Sequence, residues 1–530
     1  MRRLGGHATA LLTAAVATGI VASLVQTQVN LGELTALGAA VPLSLRAWTT
    51  LQDLAGFGPV MTGIALAALL PAMLAAHAIL RISRPARRAP LFIVAAVAAL
   101  WTAFWLMLNV IPMPAIAATR GGLEHGLMAA TGIVGGLVYA RMRSPARQSA
   151  TPRRQLLATA LLALVPAALF LITAPGAADK LDAVDPASYR VETVAQGLDR
   201  PWSLAFLPDG RLLVTEMSGR LLAISPGGAK TPIATDGLPP VFRRGGTIGL
   251  MDVALDPDFV RNSLLYLTMG HGEEGANGTR LVRARLAANR LEDVRILFSS
   301  TPKPRAGNNG SRIAFLPDHT LVLTVGDGNW RREEAQNPAN HLGTVVRLDR
   351  DGRAPPDNPF IARPGAAPEV YSLGHRNPQG IAVDPVNGDL LLTEHGARGG
   401  DEINRILAGK NYGWPLVTAG IDYPFGRVTP FSRLAGFEAP LLEWTPSIAP
   451  AGLAVYDGAL FPEWRGDLLV PALRGRAIHR VLREGRTIVG QQTLLTDRHA
   501  RMRDVRVGPD GAIYVLTDGV DASLLRLSPP

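Results

Sequence analysis

The stretch AVDPVNGDLLLTEHG, residues 382–396, contains the pattern that decides the fold. An apolar strand is followed by a turn rich in Pro, Asp and Gly and then by a second apolar strand, which is typical of a β-hairpin. The pattern occurs in six copies, at 205–216, 254–270, 314–328, 382–396, 453–473 and 507–519. Six units over about 330 residues predict an all-β, six-bladed β-propeller, whereas a β-sandwich would not explain a repeat across the whole span.

The run from Tyr371 to Pro415 around this hairpin is rich in groups that bind ligands. Arg376 and Asn377 can bind an anion or a carbonyl group, and the turn at Gly396–Ala397 can present backbone oxygens. Hard oxygen atoms suited to a cation such as Ca²⁺ come from Asp401, Glu402 and Tyr412. Because the loops of a propeller converge at its central mouth, residues distant in sequence can join this site. The alternative interpretation is a polar loop between strands.

The N-terminal part of the chain has a different composition. Length excludes a single ordinary domain, and 48% hydrophobic residues with positive mean hydropathy indicate membrane segments beside a soluble part. We predict a transmembrane helical domain over residues 1–178, a linker over 179–190 and the propeller over 191–530. The five predicted spans are Ala8–Val29, Gly58–Leu80, Pro90–Ile111, Gly122–Ala140 and Leu156–Thr173.

Basic residues predict the orientation of these spans. They concentrate before the first span, between the second and third at 81–88, and between the fourth and fifth at 141–154. The other loops carry only Arg46 and Arg120 as basic residues, so the N-terminus is predicted to be cytoplasmic. Five crossings then place the propeller on the periplasmic or extracellular side of the inner membrane, with lipid as a partner of the helices.

Two features of the composition exclude other classes of function. Cysteine is absent, so disulfides, thiolate metal sites and thiol nucleophiles are excluded. The net charge of +10 comes largely from Arg in short loops and not from blocks of Lys, Arg and aromatic residues. Membrane topology explains that charge better than nucleic-acid binding does.

Ionisable residues in the predicted spans are candidates for a second site. His77, Glu124 and His125 lie in or beside them, where polar groups often serve a function. They are candidates to line a quinone or haem site. The alternative is that they lie near the interface or satisfy a helix contact.

Several motifs identify a family. They are GLDRPWSLAFLPDG at 197–210, GLMDVALDPDF at 249–259, LGTVVRLDRDG with PPDNPF within 342–360, GHRNPQG at 374–380 and RMRDVRVGPDGAIYVLTDG at 501–519. Together these motifs closely resemble the glucose/sorbosone dehydrogenases, which use pyrroloquinoline quinone (PQQ). The resemblance covers roughly 191–529 and implies a six-bladed propeller, the cofactors PQQ and Ca²⁺, and oxidation of a sugar or related aldehyde.

The resemblance also implies roles for individual residues. Arg376 and Asn377 match residues that contact PQQ, and Arg501 and Arg503 match a pair that binds its carboxylates. Arg501 and Arg503 are two residues apart on a predicted strand, so both side chains lie on one face of that strand. Backbone oxygens of Gly396 and Ala397 match the ligands of the calcium ion that also holds PQQ. Positions near a second, structural calcium are matched by Asp401, Glu402 and Tyr412.

The sequence departs from the family pattern in the same pocket. The general base of the family is a His, but Asn308, or Asn309 in an alternative alignment, stands at its position, and an amide cannot accept a proton near neutral pH. Asp327 matches the acid that orients the missing His. Arg474 replaces the usual Lys, and Thr247 stands where a Gln often lies near the quinone.

Three residues are candidates to replace the missing base, namely Asp327, His395 and His271. The expected function is a PQQ-dependent dehydrogenase of aldoses or related aldehydes and alcohols, with membrane quinone as a candidate electron acceptor. Two alternatives remain open: a non-catalytic propeller that binds a ligand, and a calcium-dependent lactonase or hydrolase. The positions of Asn308, Asp327 and Glu216 relative to a metal would distinguish the last of these.

Overall fold

The structure of the protein is a computed structural model that describes residues 2–83, 88–111, 116–144, 188–423 and 425–530. The chain divides into two compact units. The first contains Met1–Ala177 with Ile421–Pro430, and the second contains Ala178–Gly420 with Phe431–Pro530. The predicted linker over 179–190 and the predicted fifth span over 156–173 fall mainly or wholly outside the described residues.

The first unit is helical. Its helices are α1 (Arg2–Ala36), α2 (Leu43–Ser83), α3 (Ala89–Val110), α4 (Gly122–Ala130) and α5 (Gly132–Met142), with a short 3₁₀ helix at Ala117–Thr119. Helix α1 packs against α2 and α5, and α3 packs against α5. The shared core contains Ala and Leu with a few larger residues such as Phe57 and Met61.

Three helices in the described part of the chain are long and apolar enough to cross a membrane, fewer than the five that the sequence predicts. They are Gly6–Ala36, Leu43–Ser83 and Ala89–Val110. The predicted fourth span is instead two short helices that meet at Thr131, whose hydroxyl donates a hydrogen bond to Met128 O at 2.7 Å. Glycines in α5 allow close packing, since a Cβ atom at Gly136 would lie 2.5 Å from Ile93 Cα.

Polar side chains of α1 and α2 bind the segment Ile421–Pro430 within this unit. Asp53 Oδ1 accepts a hydrogen bond from Arg427 N at 2.8 Å, and Asn30 Nδ2 donates to Val428 O at 2.8 Å. These two backbone groups are thereby paired, which avoids the cost of burying them without partners.

The second unit is a six-bladed β-propeller, as the repeat predicts. Each blade is a four-stranded antiparallel sheet. The strands are β1 (Arg190–Leu198), β2 (Pro201–Phe206), β3 (Leu212–Glu216), β4 (Leu221–Ile224), β5 (Lys230–Ile233), β6 (Leu250–Leu255), β7 (Leu264–Glu273), β8 (Ala276–Ala287), β9 (Arg290–Ser299), β10 (Gly310–Phe315), β11 (Leu321–Val325), β12 (Thr344–Leu348), β13 (Val370–Leu373), β14 (Asn377–Val383), β15 (Leu390–His395), β16 (Asp401–Ile406), β17 (Leu442–Trp444), β18 (Ala454–Val455), β19 (Leu468–Ala472), β20 (Ala477–Glu484), β21 (Thr487–Leu494), β22 (Met502–Val507), β23 (Ile513–Thr517) and β24 (Ala522–Ser528).

The short helices of this unit are α6 (Phe259–Asn262) and 3₁₀ turns at Arg332–Gln336, Pro462–Trp464 and Thr496–Arg498. Each copy of the sequence repeat joins the first strand of a blade to the second, for example β14 to β15 through residues 384–389. The ring closes because β1 pairs with β24, so the last blade contains strands from both ends of the propeller.

The first strands of the blades line the centre of the ring. Strands β2, β6, β10, β14, β18 and β22 contact one another in cyclic order. At this centre Arg312, on β10, is fully buried between Asp252 and Asp504, with Nη1 3.3 Å and 3.0 Å from their carboxylates. Arg312 also donates to backbone carbonyls of two further blades, at Gln379 and Ala451. One guanidinium thus ties several blades together.

Candidate functional site

Most of the predicted site residues of the propeller meet at one end of the ring. Thr247, Asn308, Arg376 and Arg501 lie at the starts of first strands or just before them, and Asp327, Gly396 and Asp518 lie just after second strands. Because adjacent strands are antiparallel, the starts of first strands and the ends of second strands lie at the same end of a blade. We call this end of the ring the mouth, and define it by these seven residues.

Arg376 is a buried cation at the mouth. Its backbone N donates to Glu394 Oε2 at 2.7 Å, its Nη1 donates to Gly396 O at 2.5 Å, and its guanidinium lies 5.3 Å from the centre of the Trp414 ring. The Nε atom is buried and has no hydrogen-bond partner among the described residues. A buried donor of this kind is costly unless a ligand supplies an acceptor.

Asn377 extends the same polar surface along β14. Its Oδ1 accepts hydrogen bonds from Gly310 N at 3.3 Å and from Gln379 Nε2 at 3.2 Å, and its Nδ2 lies 3.4 Å from His395 Nδ1. His395 Nε2 lies 2.7 Å from Pro450 O, which requires a proton on Nε2. Burial lowers the pKa of His395 to about 4. Its one basic nitrogen therefore faces an amide donor, which makes it a poor base.

Asp327 holds Asn308, the residue at the position of the missing His. Asp327 Oδ1 accepts from Asn308 Nδ2 at 2.8 Å and from Asn329 N at 2.7 Å, and Oδ2 accepts from Trp414 Nε1 at 2.8 Å. Burial raises the pKa of Asp327, and the positive charge of Arg376 opposes that rise. Asn308 has φ of +39°, a left-handed conformation that Asn adopts more readily than most residues.

His271, the third candidate base, lies on β7 beside the mouth. Burial and the nearby Arg280 lower the pKa of His271 to about 4. Its Nδ1 lies 3.4 Å from Arg280 Nη2, and its Nε2 is buried without a partner in the part of the chain that the structure describes. With Arg280 donating to Nδ1, the remaining proton of the neutral ring belongs on Nε2, so this nitrogen offers a donor and no lone pair.

The turn at 396–400 is a tight backbone structure. A Cβ atom at Gly396 would lie 2.0 Å from Gly399 O, so only glycine fits there. Asp401 fixes this turn, because its Oδ1 accepts from Gly396 N and its Oδ2 accepts from Ser447 Oγ, Ile448 N and Ala449 N, each at 2.7 Å. Both carboxylate oxygens of this predicted calcium ligand are therefore engaged by protein donors.

The other predicted calcium residues, Tyr412, Ala397 and Glu402, do not take part in the hydrogen bonds of Asp401 described above. Tyr412 stacks on His375 at 4.6 Å and its hydroxyl donates to Arg405 O at 2.6 Å, while Ala397 is buried. Glu402 is the cross-strand neighbour of both Glu394 and Glu443, and burial and Glu394 raise its pKa well above the usual range. Among the described residues no group of three or more His, Cys, Asp or Glu is arranged to hold a metal ion. The calcium ligands stay predictions.

Arg501 and Arg503 meet at one carboxylate. Arg501 Nε and Arg503 Nη2 lie 2.7 Å and 2.9 Å from the two oxygens of Asp518. Burial favours a raised pKa for Asp518, but Arg503 and Arg501 outweigh it and hold the pKa below the usual range. Arg503 is buried and Arg501 is exposed, so the pair presents one edge to solvent.

The two remaining predicted cofactor residues are exposed. Arg474 makes one long hydrogen bond, from Nη1 to Ser447 O at 3.4 Å. The Thr247 hydroxyl donates to Arg244 O at 2.8 Å, and Thr247 O accepts from Asn309 Nδ2 at 2.6 Å. Glu216, considered above for a hydrolase, is buried at the end of β3, where its Oε1 accepts from Asp199 N at 2.8 Å.

Sequence reasoning missed four residues at or beside the mouth: Asp518, Lys303, Glu394 and Trp414. Glu394 and Trp414 bind Arg376 and Asp327, as described above. Lys303 is buried, with 4% of its surface exposed, and donates to Asn277 Oδ1 at 3.2 Å and to Asn309 Oδ1. The sequence offers one signal for Lys303, because lysine is rare in this chain. Only four of its 53 Lys and Arg residues are lysines, namely Lys180, Lys230, Lys303 and Lys410.

The predicted membrane candidates separate into two places in the helical unit. His77 Nε2 and His7 Nδ1 each lie 3.0 Å from Tyr139 OH, and Arg143 Nη2 lies 3.0 Å from His7 Nε2. His125 instead packs edge-on against Trp101, at 4.5 Å between ring centres. His77 thus makes a contact between helices, the alternative stated for it above, and sequence could not show that α1 and α5 bring His7 and Tyr139 to it.

Fold and mouth define a class: a six-bladed propeller with buried cationic and amide groups at one end of its ring. Comparison with protein families matches residues 198–526, more than half of the chain, to Glucose / Sorbosone dehydrogenase. The chain therefore belongs to the glucose/sorbosone dehydrogenase family, as the motifs predict. The residues before 198 lie outside this match.

Individual relatives agree with this assignment. The aldose sugar dehydrogenase YliI of Escherichia coli (strain K12) is 41% identical over 353 residues, which cover 65% of this chain and 94% of the relative. Quinoprotein glucose dehydrogenase B of Acinetobacter calcoaceticus is 28% identical over 412 residues, covering 62% and 85%. A PQQ-bound aldose sugar dehydrogenase structure from Streptomyces coelicolor is 29% identical with a TM-score of 0.54, covering 65% of this chain and 99% of that chain.

Proposed function

We propose that this chain is a membrane-anchored, PQQ-dependent dehydrogenase that oxidises aldose sugars or related aldehydes and alcohols. The observation that carries the proposal is Arg376, a buried guanidinium whose Nε atom has no partner among the described residues. PQQ bears three carboxylates and an ortho-quinone, whose oxygens are acceptors for such a donor. The residues at the mouth fit an anionic, planar, oxygen-rich group.

The residues that would hold PQQ are those at the mouth. Arg376 and Asn377 would bind its oxygens from one blade, while Arg501 and Arg503 would bind carboxylates from another. Arg474 and Thr247 lie at the exposed margin, where they would contact the cofactor less tightly. When bound, PQQ supplies a two-electron acceptor for the hydride of the substrate.

The chain's own groups set the electrostatics of this site. Asp327 fixes the carboxamide of Asn308 through its Nδ2, so Asn308 Oδ1 is left to accept a hydrogen bond from a substrate hydroxyl. Carbonyl oxygens at Gly396 and Ala397 would hold Ca²⁺ beside the cofactor. Asp401, Glu402 and Tyr412 would lie near a second calcium, with Asp401 acting through the backbone that it fixes, because its oxygens are engaged.

The helical unit supports the membrane part of the proposal. Three described helices have the length and apolarity of membrane spans. The distribution of Arg predicts a cytoplasmic N-terminus, and on that basis we propose that the propeller lies in the periplasm. Membrane quinone is the proposed electron acceptor, since a protein anchored in lipid has direct access to it.

Titration of the full chain in detergent with PQQ, with and without Ca²⁺, tests this function. We expect saturable binding, and dye reduction when aldoses are added. Replacing Arg376 by Met removes a charged donor and should weaken PQQ binding about 10- to 100-fold. The matched control is Arg486→Met, an exposed arginine paired with Asp389, which should bind PQQ normally.

Each outcome has a distinct meaning. Absence of PQQ binding by the wild-type chain would reject the dehydrogenase and leave a ligand-binding or hydrolytic propeller. Binding that is equal in the Arg376→Met and Arg486→Met variants would place the cofactor elsewhere on the protein.

A further inference from the structure

Lys303 is a buried amine between two elements of the mouth. It lies in the loop before β10, and its stem packs on Gly328, where a Cβ atom would be 2.4 Å from Lys303 Cδ. Gly328 follows Asp327, and Asn309, which binds the Lys303 amine, follows Asn308. Lys303 therefore contacts a neighbour of each residue in the Asn308–Asp327 pair, where the family places its base and the acid that orients it.

The hydrogen bonds of Lys303 suit a neutral amine. Nζ donates to Asn277 Oδ1 and Asn309 Oδ1. The orientation of both amides is fixed, because Asn277 Nδ2 donates to Lys303 O at 3.2 Å and Asn309 Nδ2 donates to Thr247 O at 2.6 Å. A neutral amine has two N–H donors and one lone pair, so two fixed acceptors satisfy its donors and leave its lone pair available.

No carboxylate stabilises the charged form directly. Within the described ranges, no Asp or Glu lies within ion-pair distance of Nζ, and the charged or titratable groups facing it from packed elements are Asp327 and His271. Burial lowers the pKa of Lys303 to about 8, although the negative charge of Asp327 opposes this. A base whose pKa lies near neutrality is suited to proton transfer at physiological pH.

The other candidate bases are less suited to the task. Asn308 cannot accept a proton, and Asp327 already accepts three hydrogen bonds. The basic nitrogens of His271 and His395 face the donors of Arg280 and Asn377.

We propose that Lys303 Nζ is the proton acceptor of the dehydrogenation, in place of the missing His; this role rests on the proposed function. The hydroxyl O–H bond of the substrate breaks and its proton forms a bond to Nζ. The C–H bond breaks at the same carbon, its electron pair leaves with the hydrogen as hydride to the quinone, and the C=O bond forms. The ammonium then releases its proton to water.

Two substitutions at Lys303 test the role. Lys303→Arg keeps a positive charge that cannot be lost, and Lys303→Met keeps the stem without the amine. We expect both to lower kcat about 10²- to 10⁴-fold and to abolish the rise in kcat near pH 8, with PQQ affinity changed less than about threefold. Lys230→Arg and Lys410→Arg, which alter the other described lysines, should keep wild-type kinetics.

A restored histidine supplies a rescue. Asn308→His, added to Lys303→Met, places a base next to Asp327 at a left-handed position that His tolerates. Turnover should recover at least about tenfold, and the rise of kcat with pH should move toward the ordinary pKa of His, about 6.5. Normal turnover by Lys303→Met would overturn this role alone, whereas absence of turnover by the wild-type chain with PQQ bound would overturn the proposed function and this role together.

A second readout does not depend on turnover. Trace acetylation of the folded full chain between pH 6 and 11, followed by mass spectrometry, reports the pH midpoint at which each lysine becomes reactive. We expect the midpoint of Lys303 near pH 8, in accord with its lowered pKa. A midpoint for Lys303 at the value of a lysine in a model peptide, about 10.4, would overturn the proposal.

Discussion

Two buried basic side chains of the propeller, Arg312 and Lys303, differ in the groups that surround them. Arg312 lies between the carboxylates of Asp252 and Asp504 and above the ring of Trp202, with its guanidinium 4.0 Å from the ring centre. Lys303 has two amide oxygens and no carboxylate within ion-pair distance in the described structure. Both side chains are almost completely inaccessible to water.

The difference indicates two uses of a buried positive charge. A guanidinium stays protonated at every pH that a protein meets, so Arg312 can act as a permanent link among blades. An amine without a counter-ion is near the point at which it loses its proton. The first arrangement fixes the centre of the ring, and the second supplies a group at the mouth whose charge can change.

Removal of the permanent charge of Arg312 should have the largest effect on the stability of the propeller. In Arg312→Met, Asp252 and Asp504 lose their central partner and keep Arg506 as an ion-pair partner. Breaking a buried ion pair in this way costs about 3–5 kcal/mol, so we expect a clearly lower melting temperature of the full chain in detergent. Arg486→Met is the control, and an equal melting temperature for the two variants would contradict a structural role for Arg312.

The charge of Lys303 should appear as a pH dependence of stability. Because burial lowers its pKa from 10.5 to about 8, the unfolded chain binds one proton more than the folded chain between these values. The free energy of unfolding of the wild type should therefore rise by roughly 3 kcal/mol, relative to Lys303→Met, as pH increases from 8 to 10.5. Urea unfolding at several pH values measures this, and parallel curves for the two proteins would show that Lys303 is charged in the folded state.

The sequence predicts the blades well because each repeat unit is a local hairpin. A strand, a Pro-Asp or Asp-Gly turn and a second strand lie within about 20 residues. The turn residues and the alternation of apolar and polar residues are therefore sufficient to predict each hairpin. The closing pair β1–β24 joins residues from opposite ends of the propeller, and no local pattern specifies it. Similarly, the sequence of residues 122–140 predicts one apolar span, but the structure has two short helices there, α4 and α5. Glycines of α5 pack closely against α3.

The site is harder to predict, since its groups are defined by partners from other blades. Lys303 has the sequence context of an ordinary loop residue, and only the fold shows that Asn277, on β8, and Gly328, after β11, enclose it. Asp401 has the chemistry of a calcium ligand, yet donors at 447–449 engage one of its oxygens. Arg376 was predictable as a ligand group because its motif is continuous, but its unpaired Nε atom required the structure.

Asp401 extends the comparison to a buried anion whose hydrogen-bonding capacity is used by the protein. Asp401 accepts four hydrogen bonds, three of them from backbone N–H groups, so it resembles Arg312 in being fully paired. Asp401→Ala leaves these donors to solvent or unpaired, and we expect a loss of about 2 kcal/mol in the free energy of unfolding. The same loss with and without excess Ca²⁺ would identify a structural carboxylate, whereas a loss seen only with Ca²⁺ would identify a metal ligand.

An exposed cation at the margin of the mouth should have the smallest effect. Arg474 makes one long hydrogen bond and is otherwise open to water, so Arg474→Lys should change the free energy of unfolding by less than about 0.5 kcal/mol. Because solvent screens its charge, its contribution to PQQ binding should also be several-fold smaller than that of Arg376. The measurement is the PQQ titration of Arg474→Met, which removes the charge, beside Arg376→Met. Equal losses of affinity would mean that burial does not decide which cations of the mouth bind the cofactor, and the contrast between enclosed and exposed charges would then fail.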